Sequence, residues 1–190
     1  DAFVEGYYVQ TADISTTSNV NGKTIAKSGT PVINKAFKGT YDGGNHSISI
    51  NPNAEIYNGG LFTAIYGGTL KNVKIKGTPH GDWGSPLGSV VANSTLENVE
   101  IQIVAFNNGT SDGVFSCFYF NGNTLKDVTV DATGLTIPCL FGAYYKGSTF
   151  ENVTVKADGI TNIGDNNWTP GTPYNGSNLP SGVTFVSTAE

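Results

Sequence analysis

Thr69-Leu70-Lys71-Asn72-Val73-Lys74-Ile75 is a phrase that this chain writes four times. It returns as Thr95-Leu96-Glu97-Asn98-Val99-Glu100-Ile101, as Thr124-Leu125-Lys126-Asp127-Val128-Thr129-Val130, and as Thr149-Phe150-Glu151-Asn152-Val153-Thr154-Val155. The starts lie 26, 29 and 25 residues apart, within the period of a solenoid. Val73 and Ile75 alternate with Lys74 and Lys76, which is the period of a half-buried strand. Leu70 stands three before Val73, so it shares their inward face only if the chain bends at Asn72. Asn and Asp tolerate the left-handed backbone that such a corner needs. No copy can bury its apolar face alone, so the copies must stack. Stacking sets Asn72, Asn98, Asp127 and Asn152 in a polar ladder whose role is architectural.

The outward position after the first apolar residue runs Lys71, Glu97, Lys126, Glu151. Rungs lie about 4.8 Å apart, so opposite charges stand over one another in this register. Each exposed pair contributes only about 0.2–1 kcal/mol. Like charges there would disfavour the register, so the alternation predicts a single outward column. Ahead of each phrase the sequence predicts a second apolar strand: Gly60-Leu61-Phe62, Leu87 with Val90-Val91, Val114-Phe115 and Leu140-Phe141-Gly142. Turns such as Tyr66-Gly67-Gly68 and Asn121-Gly122-Asn123 join it to the phrase. A rung is therefore at least two strands and a variable loop, in an all-β chain.

Upstream, Phe37-Lys38-Gly39-Thr40-Tyr41-Asp42-Gly43-Gly44-Asn45-His46-Ser47-Ile48 is a strand, a glycine turn and a strand. With Tyr8 through Asp13-Ile14, Gly59-Gly60-Leu61-Phe62 and the repeats, it resembles bacterial surface proteins that carry the GLUG-type repeat. The likeness covers roughly residues 7–156. It implies a right-handed parallel β-helix, here of about five to six rungs, belonging to a secreted or cell-wall adhesin-like protein. That family carries no agreed catalytic residues, so none transfers. The chain departs from it in a short length and an aromatic, Pro/Gly-rich tail. Residues 1–164 read as the β-helix with its N-terminal rung, and 165–190 as that tail with a terminal strand.

The 190 residues are 38% apolar, enough for one continuous core. Charged residues make up only 13%, while Gly reaches 25, a mix that suits solenoid corners. A net charge of −5 without a basic cluster argues against nucleic acid and anionic membranes as partners. No apolar run approaches membrane-spanning length, so no membrane insertion is expected. Asp1 in place of Met fits a processed form or a fragment. Cys117 and Cys139 fall on consecutive rungs about four residues out of register, beyond disulfide reach unless loop lengths shift them.

Cleavage of a polysaccharide on such an architecture needs paired carboxylates or carboxylates holding calcium. The repeats offer isolated acids beside lysines, and His46 and His80 lie on different segments. No catalytic residue, metal ligand or cofactor is therefore expected, and Asp165-Asn166-Asn167 lacks the spacing of a calcium loop. Trp83 and Trp168 stand among Gly, Pro and polar residues, with Tyr174 and Tyr57 in similar settings. An exposed ring beside amides is a platform for surface glycans. The alternative is that each Trp folds back over a solenoid edge.

An open stack leaves strand edges at both ends. Tyr7, Tyr8 and Val9 at one end, and Val183 and Phe185 at the other, are the strands expected to carry self-association or to cap their own chain. The sequence thus predicts an extracellular or cell-surface structural or adhesive β-helix without enzyme activity. A carbohydrate-binding or carbohydrate-degrading β-helix and a virion tail-spike or decoration protein are the alternatives.

Overall fold

Asn72, Asn98, Asp127 and Asn152 hold φ angles of 51°, 52°, 52° and 54°, the left-handed conformation that folds each repeat into a corner. In the computed structural model, residues 5–15, 36–49, 60–62, 64–78, 84–106, 113–116, 118–164 and 171–190 are described. Among the described residues twelve strands follow in order. They are β1 (Tyr7–Val9), β2 (Ile14–Ser15), β3 (Thr40–Ser49), β4 (Ala64–Tyr66), β5 (Thr69–Gly77) and β6 (Val90–Ala92). The rest are β7 (Thr95–Ile103), β8 (Tyr119–Asn121), β9 (Thr124–Cys139), β10 (Tyr144–Lys146), β11 (Thr149–Asn162) and β12 (Val183–Ser187). The large sheet runs β1-β3-β5-β7-β9-β11-β12, with β2 also on β3, and the small sheet runs β4-β6-β8-β10. Paired strands are parallel throughout. The fold is a parallel β-solenoid.

It makes about 4 turns rather than five to six. Among the described residues the small sheet has four strands, and the described segments at either end extend the large sheet. A second correction concerns the apolar segments ahead of each phrase. Leu61, Phe62, Val114, Phe115, Leu140 and Phe141 lie in bends, and the strands of the small sheet follow them, except that Val90 and Val91 do lie in β6. The bends still bond rung to rung: the N–H of Phe62 donates to Leu87 O at 2.8 Å, and that of Phe115 to Leu140 O at 3.3 Å. They form a third, short side of the coil.

The register is that of the repeats. Lys71 pairs with Glu97, Glu97 with Lys126 and Lys126 with Glu151, one outward column. The column continues to Asp42, whose carboxylate lies 3.4 Å from Lys71 Nζ. Inside, Leu70, Leu96, Leu125 and Phe150 form one column, and Val73, Val99, Val128 and Val153 a second. Ile48, Ile75, Ile101, Val130 and Val155 form a third. The opposite wall supplies Ile65, Val91 and Phe120. Aromatic bulk gathers toward both ends: Phe37 stacks on Phe62 at 4.9 Å, and Phe141 stacks on Phe115 at 5.7 Å and on Tyr145 at 4.4 Å.

Where the register slips, a glycine allows it. Asp42 pairs with Lys71 but His46 with Val73, so a bulge sits opposite Asn72. A Cβ on Gly43 would lie 2.4 Å from both Asn72 O and Val73 Cβ. The second corner is held by buried polar groups. Ser94 Oγ accepts from the N–H of Gly67 at 3.1 Å, while the Ser94 N–H donates to Asn123 Oδ1 at 3.0 Å. The buried Ser94 N–H thereby finds its partner one rung away.

Candidate functional site

The corner side chains bond along the solenoid axis. Asn98 Nδ2 donates to Asn72 Oδ1 at 2.9 Å, and Asn72 Nδ2 donates to Asp42 Oδ1 at 3.0 Å. Asn152 Nδ2 donates to Asp127 Oδ1 at 2.7 Å. Between Asn98 and Asp127 there is no hydrogen bond among the described residues. Asn98 turns its amide nitrogen toward Asn72, and an ionised carboxylate has no hydrogen to give the Asn98 oxygen. The ladder is therefore two runs, each ending on an aspartate.

At its N-terminal end the ladder controls an ionisation. The Asn72 amide, then the Gly44 N–H and the Tyr7 hydroxyl, hold the Asp42 carboxyl down at about 2 from its usual 3.8. The Ser47 N–H likewise lowers Asp13. A carboxyl depressed in the folded state contributes stability that is complete above about pH 4 and lost as the pH falls toward about 2. Melting between pH 5 and 2 should therefore show an acid loss of stability that Asp42→Asn reduces. An unchanged pH profile in that variant would contradict the assignment.

Beside the ladder, the outer face of the large sheet carries a groove of about 430 Å³. Asn45, Asn72, Asn98 and Asp127 come from the corners. Lys74, Glu100, Thr129, Asp131 and Lys156 come from the outward positions that follow, and Val73 and Val99 lie between. The lining spans β3 to β11, so the groove runs along the axis across the rungs. Lys74 Nζ meets Glu100 Oε1 at 2.6 Å across one rung step. Asp131 Oδ1 accepts from the Thr133 hydroxyl at 2.7 Å, and that bond first, with Lys156 and Lys74 nearby, lowers its pKa. No group of three or more His, Cys, Asp or Glu among the described residues is gathered as a metal site would need.

Trp83 and Trp168 lie outside the described residues, as do Tyr57, His80, Cys117 and the Asp165-Asn166-Asn167 run. Tyr174 is half-buried: its ring meets Phe185 edge-on at 5.6 Å, and its N–H donates to Thr161 O at 3.0 Å. With Leu179 it covers part of the C-terminal end of the core. Val183 and Phe185 pair with Val153 and Val155 of their own chain and pack on that core. Tyr8 packs inward against Phe37, while Tyr7 and Val9 face outward and are exposed. Cys139 is a free, buried thiol whose pKa burial pushes up to about 11.

The groove itself escaped the sequence reading. Its one signal there is Asp127, the single acid in a column of asparagines. Comparison of the chain with family models, with curated proteins and with solved structures finds no match.

Proposed function

We propose that the chain is a non-enzymatic, extracellular structural or adhesive β-solenoid that joins end to end with copies of itself. The observation that carries this reading is the apolar edge left exposed among the described residues of the N-terminal end. Ile14 extends the inward column of Ile48, Ile75 and Ile101, yet it is 43% exposed while those three are buried. Val9, over Asp42 on the outward face of β1, and Val186 on β12 are exposed as well. Parallel edge strands with apolar ends are templates for another chain, and a head-to-tail contact of this kind repeats without closing. The resemblance to GLUG-type surface proteins supports an extracellular setting and the adhesin-like role.

The acids of the groove support the absence of catalysis. A general acid needs a raised pKa, whereas Asp131 is lowered and Glu100 is held by Lys74. Sedimentation velocity on the intact chain should show mass growing with concentration, and Ile14→Asp should return it to a monomer with an unchanged melt. A strictly monomeric native chain at high concentration would overturn the reading.

A further inference from the structure

The axial groove holds a pattern that the fold itself does not need. Three of the four ladder corners are asparagine, whose amide both accepts and donates, so a fourth would complete the column. Asp127 interrupts it instead. Local rules broken without structural gain tend to mark functional positions. The interruption leaves acceptors facing acceptors: Asn98 Oδ1 and the second Asp127 oxygen are on neighbouring rungs with no donor between them among the described residues. Both side chains are exposed to the groove.

The rest of the lining narrows what fits there. Lys74 and Glu100 neutralise one another at 2.6 Å, and Lys156 stands near Asp131 in register with it. A polyanion would meet Asp127 and Asp131, and a polycation would meet Lys74 and Lys156. A chain of hydroxyl groups donates to the open acceptors and accepts from the lysine at the far end. Because the groove crosses successive rungs, its ligand is extended rather than compact.

We propose that this groove binds a linear, neutral, hydroxyl-rich glycan, with Asn98 and Asp127 as the acceptors of its hydroxyl hydrogens. Among the described residues no aromatic ring lines the groove, so each sugar contributes little and the affinity builds over several rungs. Its open acceptors lie on the middle strands β7 and β9, away from the terminal strands β1 and β12.

The test is affinity electrophoresis in gels containing hydroxyethylcellulose, galactomannan or soluble amylose, with polygalacturonate as the anionic comparison. Asp127→Asn retains the corner chemistry of the other three rungs and gives the ladder its missing donor, so it consumes the open acceptors. The native chain should be retarded by at least one neutral glycan. Asp127→Asn should lose that retardation at least threefold while melting at the same or a higher temperature. Glu151→Gln makes the same charge change outside the groove and should leave retardation intact. Four outcomes would overturn the proposal: no retardation by any neutral glycan, retardation by polygalacturonate alone, retardation unchanged in Asp127→Asn, or equal loss in both variants. A melting increase with calcium chloride that Asp127→Asn abolishes, without glycan retardation, would assign the acceptors to a cation instead. Sedimentation in the same buffer reads association separately, so failure of one proposal is not failure of the other.

Discussion

Val99→Asp is expected to abolish the folded state. Val99 is 2% exposed and stands in register between Val73 and Val128, with Leu96 and Ile101 in the columns on either side. A carboxylate there would be buried among aliphatic side chains, and an unpaired buried charge costs several kcal/mol. Domains of this kind hold only about 5–15 kcal/mol in total. The arrangement sharpens the effect, because each rung of a solenoid contacts only its neighbours and a failed middle rung separates the two halves. Circular dichroism should show loss of the cooperative melt. Glu97→Gln, two residues away on the outward column, should shift the melting temperature by no more than about 2 °C. A native-like melt in Val99→Asp would mean that this column is not the core.

The second large effect is expected at Gly182, where the terminal strand joins the stack. Its φ is +86°, and an added Cβ would lie 2.0 Å from Phe150 O and 2.7 Å from Phe150 C. Those are backbone atoms, which cannot swing aside as a side chain can. Gly182→Ala must therefore move the chain, and with it the bond from the Val153 N–H to Gly182 O at 3.0 Å. The consequence is release of β12, which withdraws Val183 and Phe185 from the end of the core. Amide exchange at Thr184 to Val186 should accelerate by about a hundredfold, corresponding to about 2.8 kcal/mol of local stability. Amides of β7 should exchange as before. Retained protection in β12 would show that the strand does not depend on this close approach.

The repeat made most of the large sheet legible, because strand period, corner residue and outward charge agree at the same positions. Lys71, Glu97, Lys126 and Glu151 give the register without any coordinates. The small sheet was harder to read. Its strands are three residues long, and Ala64-Ile65-Tyr66 or Tyr119-Phe120-Asn121 is too short for alternation to mark it against the bend before it. Leu61-Phe62 and Val114-Phe115 are equally apolar because bends and strands face one interior. The candidate groove was illegible for another reason. Asp127 looks like a tolerated variant of asparagine until the side-chain bonds are traced, and only then does its lack of a hydrogen divide the column.

The bonds of that column also have a sense. Asn98 donates to Asn72, Asn72 to Asp42, and Asn152 to Asp127, always from the later rung toward the earlier one. The amide dipoles therefore add instead of cancelling, and each run ends in a negative charge on its N-terminal side. The corner is an arrow painted along a rod whose aliphatic columns are nearly the same read either way. Any linear molecule lying beside it meets different groups head first than tail first, so the surface distinguishes the two directions of a chain by its hydrogen atoms alone.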